Sequence, residues 1–254
     1  MEPLFLIEDL SFIYAGGHEV KALSGLNLEM MPKSRWAVLG ASGCGKSTLL
    51  KLLDGLLKPS GGKVLYKGVA LDAPPQDIAF VLQDYGLFPW KSNLANLMLP
   101  LALRKEKKAV QRERAEEMLA TLGLSDKKDG FPLSLSGGQK QRLALGRALI
   151  TSPSVLLLDE PFSALDALTR EQMQEATLSL IKDSGHAMVL VTHSVEEAVY
   201  LAEHILLLSE DGAEVVHNPQ SGEGNYRDSR EYVDLVRTLR QWLRDASKAV
   251  IDHA

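Results

Sequence analysis

The sequence predicts an α/β fold with a parallel-sheet core, an antiparallel β subdomain and an inserted helical subdomain. Short apolar runs of strand length alternate with helical stretches, which is typical of parallel βαβ units. Stretches near the start of the chain mix β-forming residues with turn residues, which predicts the antiparallel part. Pro89, Pro100 and Pro132 punctuate mostly helical sequence, so the helical insertion is expected at about residues 84–150.

Each predicted element follows from its own pattern of apolar residues. The core strands are predicted at residues 36–39, 78–82, 155–158, 188–191 and 205–208, and the antiparallel strands at residues 4–9, 21–30 and 63–66. A helix over residues 46–56 has Leu49, Leu50, Leu52 and Leu53 on its apolar side. A surface helix over residues 105–122 carries Val110, Ala115, Met118, Leu119 and Leu122 at helical spacing. A helix within residues 225–254 carries Tyr232, Val233, Leu235, Val236, Leu239, Trp242 and Leu243; packing on the core is expected, and contact with membrane lipid is the alternative.

Composition limits the classes of function. Of the 254 residues, 45% are hydrophobic and 24% are charged, which is ordinary globular usage and sufficient for a core. The net charge of -5 argues against a surface that mainly binds nucleic acid, so protein partners are expected. The single cysteine, Cys44, excludes an intramolecular disulfide framework and favours the reducing cytosol. No apolar run approaches the length of about 18 residues that a spanning helix needs, and no secretory signal is visible.

A glycine-rich loop lies between a predicted strand and a predicted helix. Its pattern, Gly-x-x-x-x-Gly-Lys-Ser, lets backbone N–H groups turn towards phosphate oxygens, and the next helix adds the positive end of its dipole. Lys46 would bridge the β- and γ-phosphates of a nucleotide, and Ser47 would hold Mg²⁺ with Thr48 as a helper. The alternative is a glycine-rich turn before a helix. The candidate residues are Gly40, Ala41, Ser42, Gly43, Cys44, Gly45, Lys46, Ser47 and Thr48.

Two adjacent carboxylates follow the apolar run at residues 155–158. A buried strand can deliver such a pair at its carboxyl end, where side chains of a parallel sheet face a ligand crevice. Asp159 would hold the magnesium, and Glu160 would polarise the attacking water as a general base. The alternative is a capping carboxylate at a strand-to-helix turn, which Pro161 also permits.

Together these motifs resemble the ATP-binding cassette (ABC) ATPases. The match covers nearly the whole chain, and its elements are the loop at residues 40–48, Gln83, residues 135–139, Asp159-Glu160, residues 163–166 and His193. The resemblance implies a P-loop ATPase domain at residues 1–220 and a C-terminal helical extension at residues 221–254 packed on the core. It also implies an ATP hydrolase coupled to transmembrane transport, with ATP and Mg²⁺ as cofactors.

The resemblance further implies a role for each matching residue. Tyr14 would stack on adenine, Gln83 would link the metal and the water to the helical subdomain, and His193 would sense the γ-phosphate. Ser136 and Gly138 would contact the γ-phosphate held by the other protomer, within a nucleotide-binding motif that also includes Gly137 and Gln139. Two ATP molecules would thus hold a dimer together, and Asp166 would signal across that interface. The alternatives are a core aromatic, a core histidine, and a helix cap followed by a loop.

Within the family, residues 88–101 look like the corresponding segment of importer ATPases for nitrate, sulfonates and taurine. This implies a homodimer or paired cassette at the cytoplasmic face of the inner membrane, a separate permease, and indirectly a periplasmic or extracellular solute-binding protein, with no nucleic acid. Phe88, Pro89 and Trp90 suit a groove for a permease helix, although an ordinary packed loop is the alternative. The alternative functions are a cell-division or lipoprotein-extraction cassette and a soluble clamp on DNA or ribosomes.

Overall fold

The computed structural model describes residues 2–15, 20–209 and 212–252, with side chains described as far as residue 246. It comprises two compact units, one formed by residues 1–75 and 187–254 and the other by residues 76–186. The strands are β1 (Phe5–Tyr14), β2 (Val20–Met30), β3 (Arg35–Leu39), β4 (Gly61–Tyr66), β5 (Val69–Ala70), β6 (Ile78–Val81), β7 (Val155–Asp159), β8 (Ala187–Val191), β9 (His204–Ser209) and β10 (Gly212–His217). The helices are α1 (Lys46–Leu53), α2 (Asn93–Leu103), α3 (Lys108–Thr121), α4 (Gly137–Leu149), α5 (Ala167–Ser184), α6 (Val195–Leu201) and α7 (Arg230–Asp252). Short 3-10 turns lie at Ser125–Lys127, Pro132–Ser134 and Tyr226–Asp228.

The first unit contains the predicted antiparallel sheet, with strand order β2-β1-β4-β5. The expected end of β1 at residue 9 is wrong, because the strand continues to Tyr14. Asp9 has a φ of 49°, the pairing with β2 shifts register between Ile7 and Leu10, and the Asp9 N–H donates to Asn27 Oδ1 at 2.9 Å. A bulge therefore bends the strand at the point where the turn-forming residue had indicated its end.

The first unit also contains parallel strands. Strand β3 lies between β8 and β9 and pairs in parallel with both, as predicted. Every residue of β3 and β8 is buried, which explains their continuous apolar runs. Strand β10 adds an antiparallel edge beside β9 that sequence analysis missed. None of its residues is fully buried, so its sequence lacks the apolar run of the other strands.

Helix α1 begins at Lys46 as predicted but ends at Leu53, three residues before the expected end. Asp54 is the C-cap, and Gly55 adopts a φ of 74°, the left-handed conformation that commonly ends a helix. The four leucines expected on the apolar side are all buried.

Helix α7 belongs to the first unit and packs on the rest of that unit through an apolar stripe. Val236 and Leu239 are buried in a cluster with residues of β3, α6 and β9, and four partly buried residues flank them: Tyr232, Leu235, Trp242 and Leu243. The expectation that Val233 belongs to this stripe is wrong, because its side chain is exposed. Its position on the helix lies away from the face that Val236 and Leu239 share.

In the second unit, β6 and β7 pair in parallel. Residues of α2, α3 and α4 form the apolar cluster of this unit. The buried positions of α3 are Gln111, Ala115 and Leu119, spaced four residues apart. Val110, expected on this face, is exposed because it lies one position away from that row. The unit contains β6, β7 and α5 besides the predicted insertion, whose boundaries stay a prediction. No helix in the described part of the chain is long and apolar enough to span a membrane.

Candidate functional site

The glycine-rich loop connects the end of β3 to the start of α1. Gly43 and Gly45 adopt φ angles of 87° and 98°, which other residues rarely adopt. A Cβ atom on Gly45 would lie 2.2 Å from the carbonyl oxygen of Ala22, and one on Gly40 would lie 2.3 Å from that of Leu208. The backbone of the loop therefore passes so close to its neighbours that only glycine fits at these two positions.

Lys46 is buried at the first position of α1, and its ammonium group points back into the loop. The Nζ atom donates to the carbonyl oxygens of Gly40 at 2.9 Å and Ala41 at 2.7 Å. The Sγ atom of Cys44, which is also buried, lies 4.0 Å from the same nitrogen. A positive charge is thus held inside the loop by polar partners, as a buried cation requires.

Tyr14, the last residue of β1, is half-exposed, and its ring packs edge-on against Phe12 at a centroid distance of 4.9 Å. Its phenol oxygen lies 3.0 Å from Thr48 Oγ1, in the first turn of α1. A hydrogen bond therefore joins Tyr14, whose ring was predicted to stack on adenine, to the helix that follows the glycine-rich loop.

His193 lies two residues beyond the end of β8 and is exposed. Strands β3 and β8 are parallel, with Val38 opposite Val191, so their carboxyl ends lie at the same edge of the sheet. The glycine-rich loop and the turn with His193 both leave that edge. The first unit therefore brings the loop, Lys46 and His193 to one side of its sheet.

In the second unit, Gln83, Asp159 and Glu160 lie at the ends of two neighbouring strands: Asp159 is the last residue of β7, and Gln83 and Glu160 come just after β6 and β7. Strand β6 pairs in parallel with β7, with Val81 opposite Leu158, so these three side chains leave the same edge. Glu160 has a φ of 46°, which for a non-glycine residue costs about 1–3 kcal/mol. Its carbonyl oxygen accepts from the Ser163 hydroxyl at 2.9 Å, which closes a tight turn directly after the carboxylate.

Residues 136–139 begin helix α4. Ser136 Oγ accepts from the Gln139 N–H at 3.3 Å, and Gln139 Oε1 accepts from the Ser136 N–H at 3.0 Å, forming a complete capping box. Gly138 is buried, and a Cβ atom there would lie 2.8 Å from Thr169 Cγ2 of α5, while one on Gly137 would lie 3.3 Å from Leu165 Cδ2. The motif thus has a local structural role at the start of α4.

Asp166 begins the neighbouring helix α5. Its carboxylate accepts from the Thr169 N–H at 3.0 Å, and this hydrogen bond lowers the pKa of Asp166.

Each of the two units contains a different set of the candidate residues. Tyr14, the loop and His193 belong to the first unit, whereas Gln83, the carboxylates, the α4 motif and Asp166 belong to the second.

Sequence analysis missed the side chains that support the segment after Gln83. The Arg147 guanidinium donates to the carbonyl oxygens of Tyr85 at 2.9 Å and Gly86 at 2.7 Å, and burial lowers the pKa of Arg147. The Phe88 N–H donates to Oδ1 of the fully buried Asn96 at 2.9 Å. A polar residue among the apolar residues of α2 was the available signal for Asn96.

It also missed the residues that flank His193. Thr192 Oγ1 donates to the buried carboxylate of Glu197 at 2.5 Å, and the Ser194 N–H donates to Thr192 Oγ1 at 3.0 Å. Ser194 and Glu197 have the three-residue spacing of a capping box, which the sequence displayed.

Comparisons with known proteins identify the family. The family model described as ABC transporter matches residues 23–163, more than half of the chain. The taurine import ATP-binding protein TauB of Pseudomonas putida is 42% identical over 221 residues, covering 85% of this chain and 82% of that protein.

Two solved structures extend the comparison to the fold. A dimeric post-hydrolysis state of the ATP-binding cassette MJ0796, bound to ADP and Pi, is 30% identical with a TM-score of 0.75, covering 84% of this chain and 98% of that one. The cbiO1 protein of Clostridium perfringens, part of the ABC transporter complex cbiONQ, is 27% identical with a TM-score of 0.77, covering 87% of this chain and 90% of that one. The chain therefore belongs to the ABC transporter family, as one of its ATP-hydrolysing cassettes.

Proposed function

We propose that this chain is the ATPase subunit of an importer, which binds MgATP, closes as a homodimer or paired cassette, and drives a separate permease from the cytoplasmic face of the membrane. The transported solute is a small anionic or zwitterionic compound of the nitrate, sulfonate and taurine class, delivered by a solute-binding protein. The observation that carries this proposal is the 42% identity to a taurine import ATP-binding protein over 85% of the chain.

The residues of the phosphate loop would bind the nucleotide. The N–H groups of residues 40–48 and the start of α1 supply donors for phosphate oxygens, and Lys46 supplies the positive charge. In the structure Lys46 Nζ already has carbonyl partners at 2.7 and 2.9 Å, so binding of the γ-phosphate would exchange these hydrogen bonds for an ion pair. Tyr14 would stack on the adenine, and its hydroxyl contact with Thr48 supports that placement.

The donor set for a metal ion consists of oxygen atoms. The Ser47 hydroxyl, the Gln83 amide and the Asp159 carboxylate are the hard ligands that Mg²⁺ prefers, and Gln83 and Asp159 leave adjacent ends of β6 and β7. When bound, the ion would neutralise charge on the β- and γ-phosphates. Glu160 would polarise the water that attacks the γ-phosphate, and His193 would hold that phosphate in place.

The α4 motif would act on the nucleotide of the partner protomer. Helix α4 has 13 residues, and its first turn presents Ser136, Gly137 and Gly138 with the positive end of the helix dipole. Asp166, which begins the adjacent α5, would signal across the same interface. The relative MJ0796 forms a dimer with ADP and Pi bound, which supports an assembly of this kind.

The surface near Phe88 and Trp90 would receive a short helix of the permease. Trp90 is 71% exposed, and its ring packs edge-on against Phe88 at 5.4 Å between centroids. The Arg147 guanidinium lies 5.8 Å from the centroid of Phe88, so the aromatic pair rests on a supported segment and not on a free loop. Exposed aromatic residues of this kind are common at the centre of protein interfaces.

The test is a pull-down from native membranes with the Glu160→Gln form in MgATP, followed by mass spectrometry. Removing the general base lowers turnover by about 10²- to 10⁴-fold while leaving ATP binding intact, so the ATP-bound dimer accumulates with its partners. Glu113→Gln, an exposed change on α3, is the matched control and keeps wild-type turnover. Lys46→Ala, in contrast, is expected to weaken nucleotide binding.

Recovery of a multi-spanning permease with a solute-binding protein supports the importer. Recovery of envelope-remodelling proteins instead transfers the function to the cell-division or lipoprotein-extraction class, and soluble nucleic-acid partners contradict transport. Wild-type turnover in Glu160→Gln removes the role assigned to Glu160.

A further inference from the structure

Helix α6 follows His193 directly, and it is only seven residues long. Isolated helices of this length are marginal in water, so packing partners decide where such a helix lies. In the first unit β3 and β9 pack against α6 from the core, and the C-terminal part of the chain contacts α6 at both of its ends.

At the carboxyl end of α6, side chains from residues 218–227 satisfy its last carbonyl groups. Asn218 Nδ2 donates to Val199 O at 2.7 Å and to Ala202 O at 2.9 Å, and the Ser221 hydroxyl donates to Tyr200 O at 2.9 Å. The buried hydroxyl of Tyr226 donates to Asn218 Oδ1 at 2.6 Å. These are carbonyl groups that a helix cannot satisfy by itself, so this end of α6 is fixed by the C-terminal segment.

At the amino end, helix α7 reaches the first turn of α6. The Arg240 guanidinium donates to one carboxylate oxygen of Glu196, and the Ser194 hydroxyl donates to the other at 3.0 Å. The Tyr232 hydroxyl donates to the carbonyl oxygen of Glu196 at 3.4 Å. Ser194 is the residue next to His193, so a chain of contacts leads from α7 through Glu196 to the backbone beside His193.

Hydrogen bonds of the buried Thr192 also hold the turn that carries His193. Thr192 is buried and donates to Glu197, and the Ser194 N–H donates to Thr192, so both neighbours of His193 are held. Ser194 Oγ also accepts from the Glu197 N–H at 3.3 Å. Ser194 therefore contacts both the buried pair of Thr192 and Glu197 and the partly exposed Glu196, which binds Arg240. A displacement of Ser194 would move the His193 backbone directly.

We propose that Glu196 and Arg240 are positioning residues for ATP hydrolysis, through which helix α7 holds the first turn of α6 and keeps His193 at the γ-phosphate. Both residues would act through Ser194 and not through contact with the nucleotide. The inference rests on the proposed role of His193.

The ion pair is suited to this role because it contributes little to folding. Both side chains are more than a third exposed, and exposed ion pairs add little to the free energy of unfolding. Most of the packing of α7 comes instead from the buried cluster around Val236 and Leu239. Loss of the ion pair is therefore expected to affect geometry at His193 and not the stability of the fold.

The experiment compares steady-state ATP hydrolysis by the full-length chain with and without Arg240. Arg240→Ala is expected to lower kcat by about three- to tenfold, since small misplacements of a reacting group reduce turnover strongly. The KM for ATP and the melting temperature stay at wild-type values, and Arg240→Lys restores most of kcat. Arg237→Ala is the matched control, because Arg237 carries the same charge on the same helix and its ion pair, within the described part of the chain, is with Asp234 of α7 itself.

His193→Ala separates the two levels of the proposal. If His193→Ala lowers kcat and Arg240→Ala behaves like Arg237→Ala, the inference is overturned and the role of His193 stands. If His193→Ala keeps wild-type kcat, the role of His193 and the inference both fail. In the His193→Ala background, Arg240→Ala is expected to cause no further loss, because both changes act through one group. An additive loss, or a fall in melting temperature that matches the fall in kcat, also overturns the inference.

Discussion

The phenol oxygen of Tyr14 lies 3.0 Å from the hydroxyl oxygen of Thr48, although the two residues are 34 positions apart in the chain. This contact joins the end of β1 to the first turn of α1, immediately after the glycine-rich loop. The ring that we propose to stack on adenine and the helix that follows the glycine-rich loop are therefore joined by a hydrogen bond within one compact unit.

Replacing Tyr14 separates the stacking of the ring from this hydrogen bond. Tyr14→Ala is expected to raise the dissociation constant for ATP about tenfold, because stacking on a base contributes about 1–3 kcal/mol. Tyr14→Phe keeps the ring and loses one neutral hydrogen bond, and because that bond is made to Thr48 and not to the base, its dissociation constant is expected to change less than that of Tyr14→Ala. Titration calorimetry with a non-hydrolysed ATP analogue measures both. Equal losses in the two variants would show that the hydroxyl, and not the ring, carries the effect.

Two glycines of the loop provide a matched test of its backbone. Gly43→Ala meets no atom within 4 Å and suffers only from its φ of 87°, which costs about 1–2 kcal/mol. Gly45→Ala has a φ of 98° and also places Cβ at 2.2 Å from Ala22 O, so its free energy of unfolding falls further. Urea unfolding of both variants gives the comparison. A Gly45→Ala variant as stable as Gly43→Ala would contradict the close approach of the loop to β2.

Cys44 allows the loop to be followed chemically, because it is the single cysteine of the chain. Its side chain is buried, so a maleimide is expected to react slowly with the native protein and rapidly after denaturation in urea. ATP slows the native reaction further by holding the loop closed, and the labelled protein no longer binds ATP. Labelling rates measured by mass spectrometry test this, with Cys44→Ser as the unlabelled control. Identical rates with and without ATP would contradict the placement of phosphate in this loop.

The free energy of unfolding is expected to depend on pH through the carboxyl group of Asp54. Burial raises the pKa of Asp54 to about 6, so between about pH 4 and pH 6 the folded chain binds this proton more tightly than the unfolded chain. The stability associated with Asp54 is fully present below about pH 4 and is lost as the pH rises through 6. Removing the ionisable group with Asp54→Asn is therefore expected to increase the free energy of unfolding at pH 7 relative to pH 4, by about 3 kcal/mol at most.

Urea unfolding of wild type and Asp54→Asn at the two pH values measures this difference. Asp126→Asn, which removes a carboxylate from an exposed position, is the control for the loss of an acidic side chain. If Asp54→Asn differs from wild type by the same amount at both pH values, the ionisation of Asp54 does not affect folding.

The sequence predicted those elements whose signals are local. The strand, glycine-rich loop and helix around Lys46 occupy consecutive residues, and all four leucines assigned to the core side of α1 are buried. The α/β fold is confirmed by the structure and by its similarity to cassette structures, with TM-scores of 0.75 and 0.77. Errors occurred where a local pattern was incomplete: Asp9 indicated a strand end and marks a bulge, and Val233 satisfied helical spacing yet is exposed.

By itself the sequence identified the chain as an ATP-hydrolysing cassette, because the glycine-rich loop, the paired carboxylates and the α4 motif each lie within a few consecutive residues. The tertiary structure alone decided which distant residues support them. The contacts of Tyr14 with Thr48, of Arg147 with Gly86 and of Arg240 with Glu196 join residues far apart in the chain. Such contacts leave no periodic pattern and no local propensity, since they exist only after separate elements have packed and brought one donor to one acceptor.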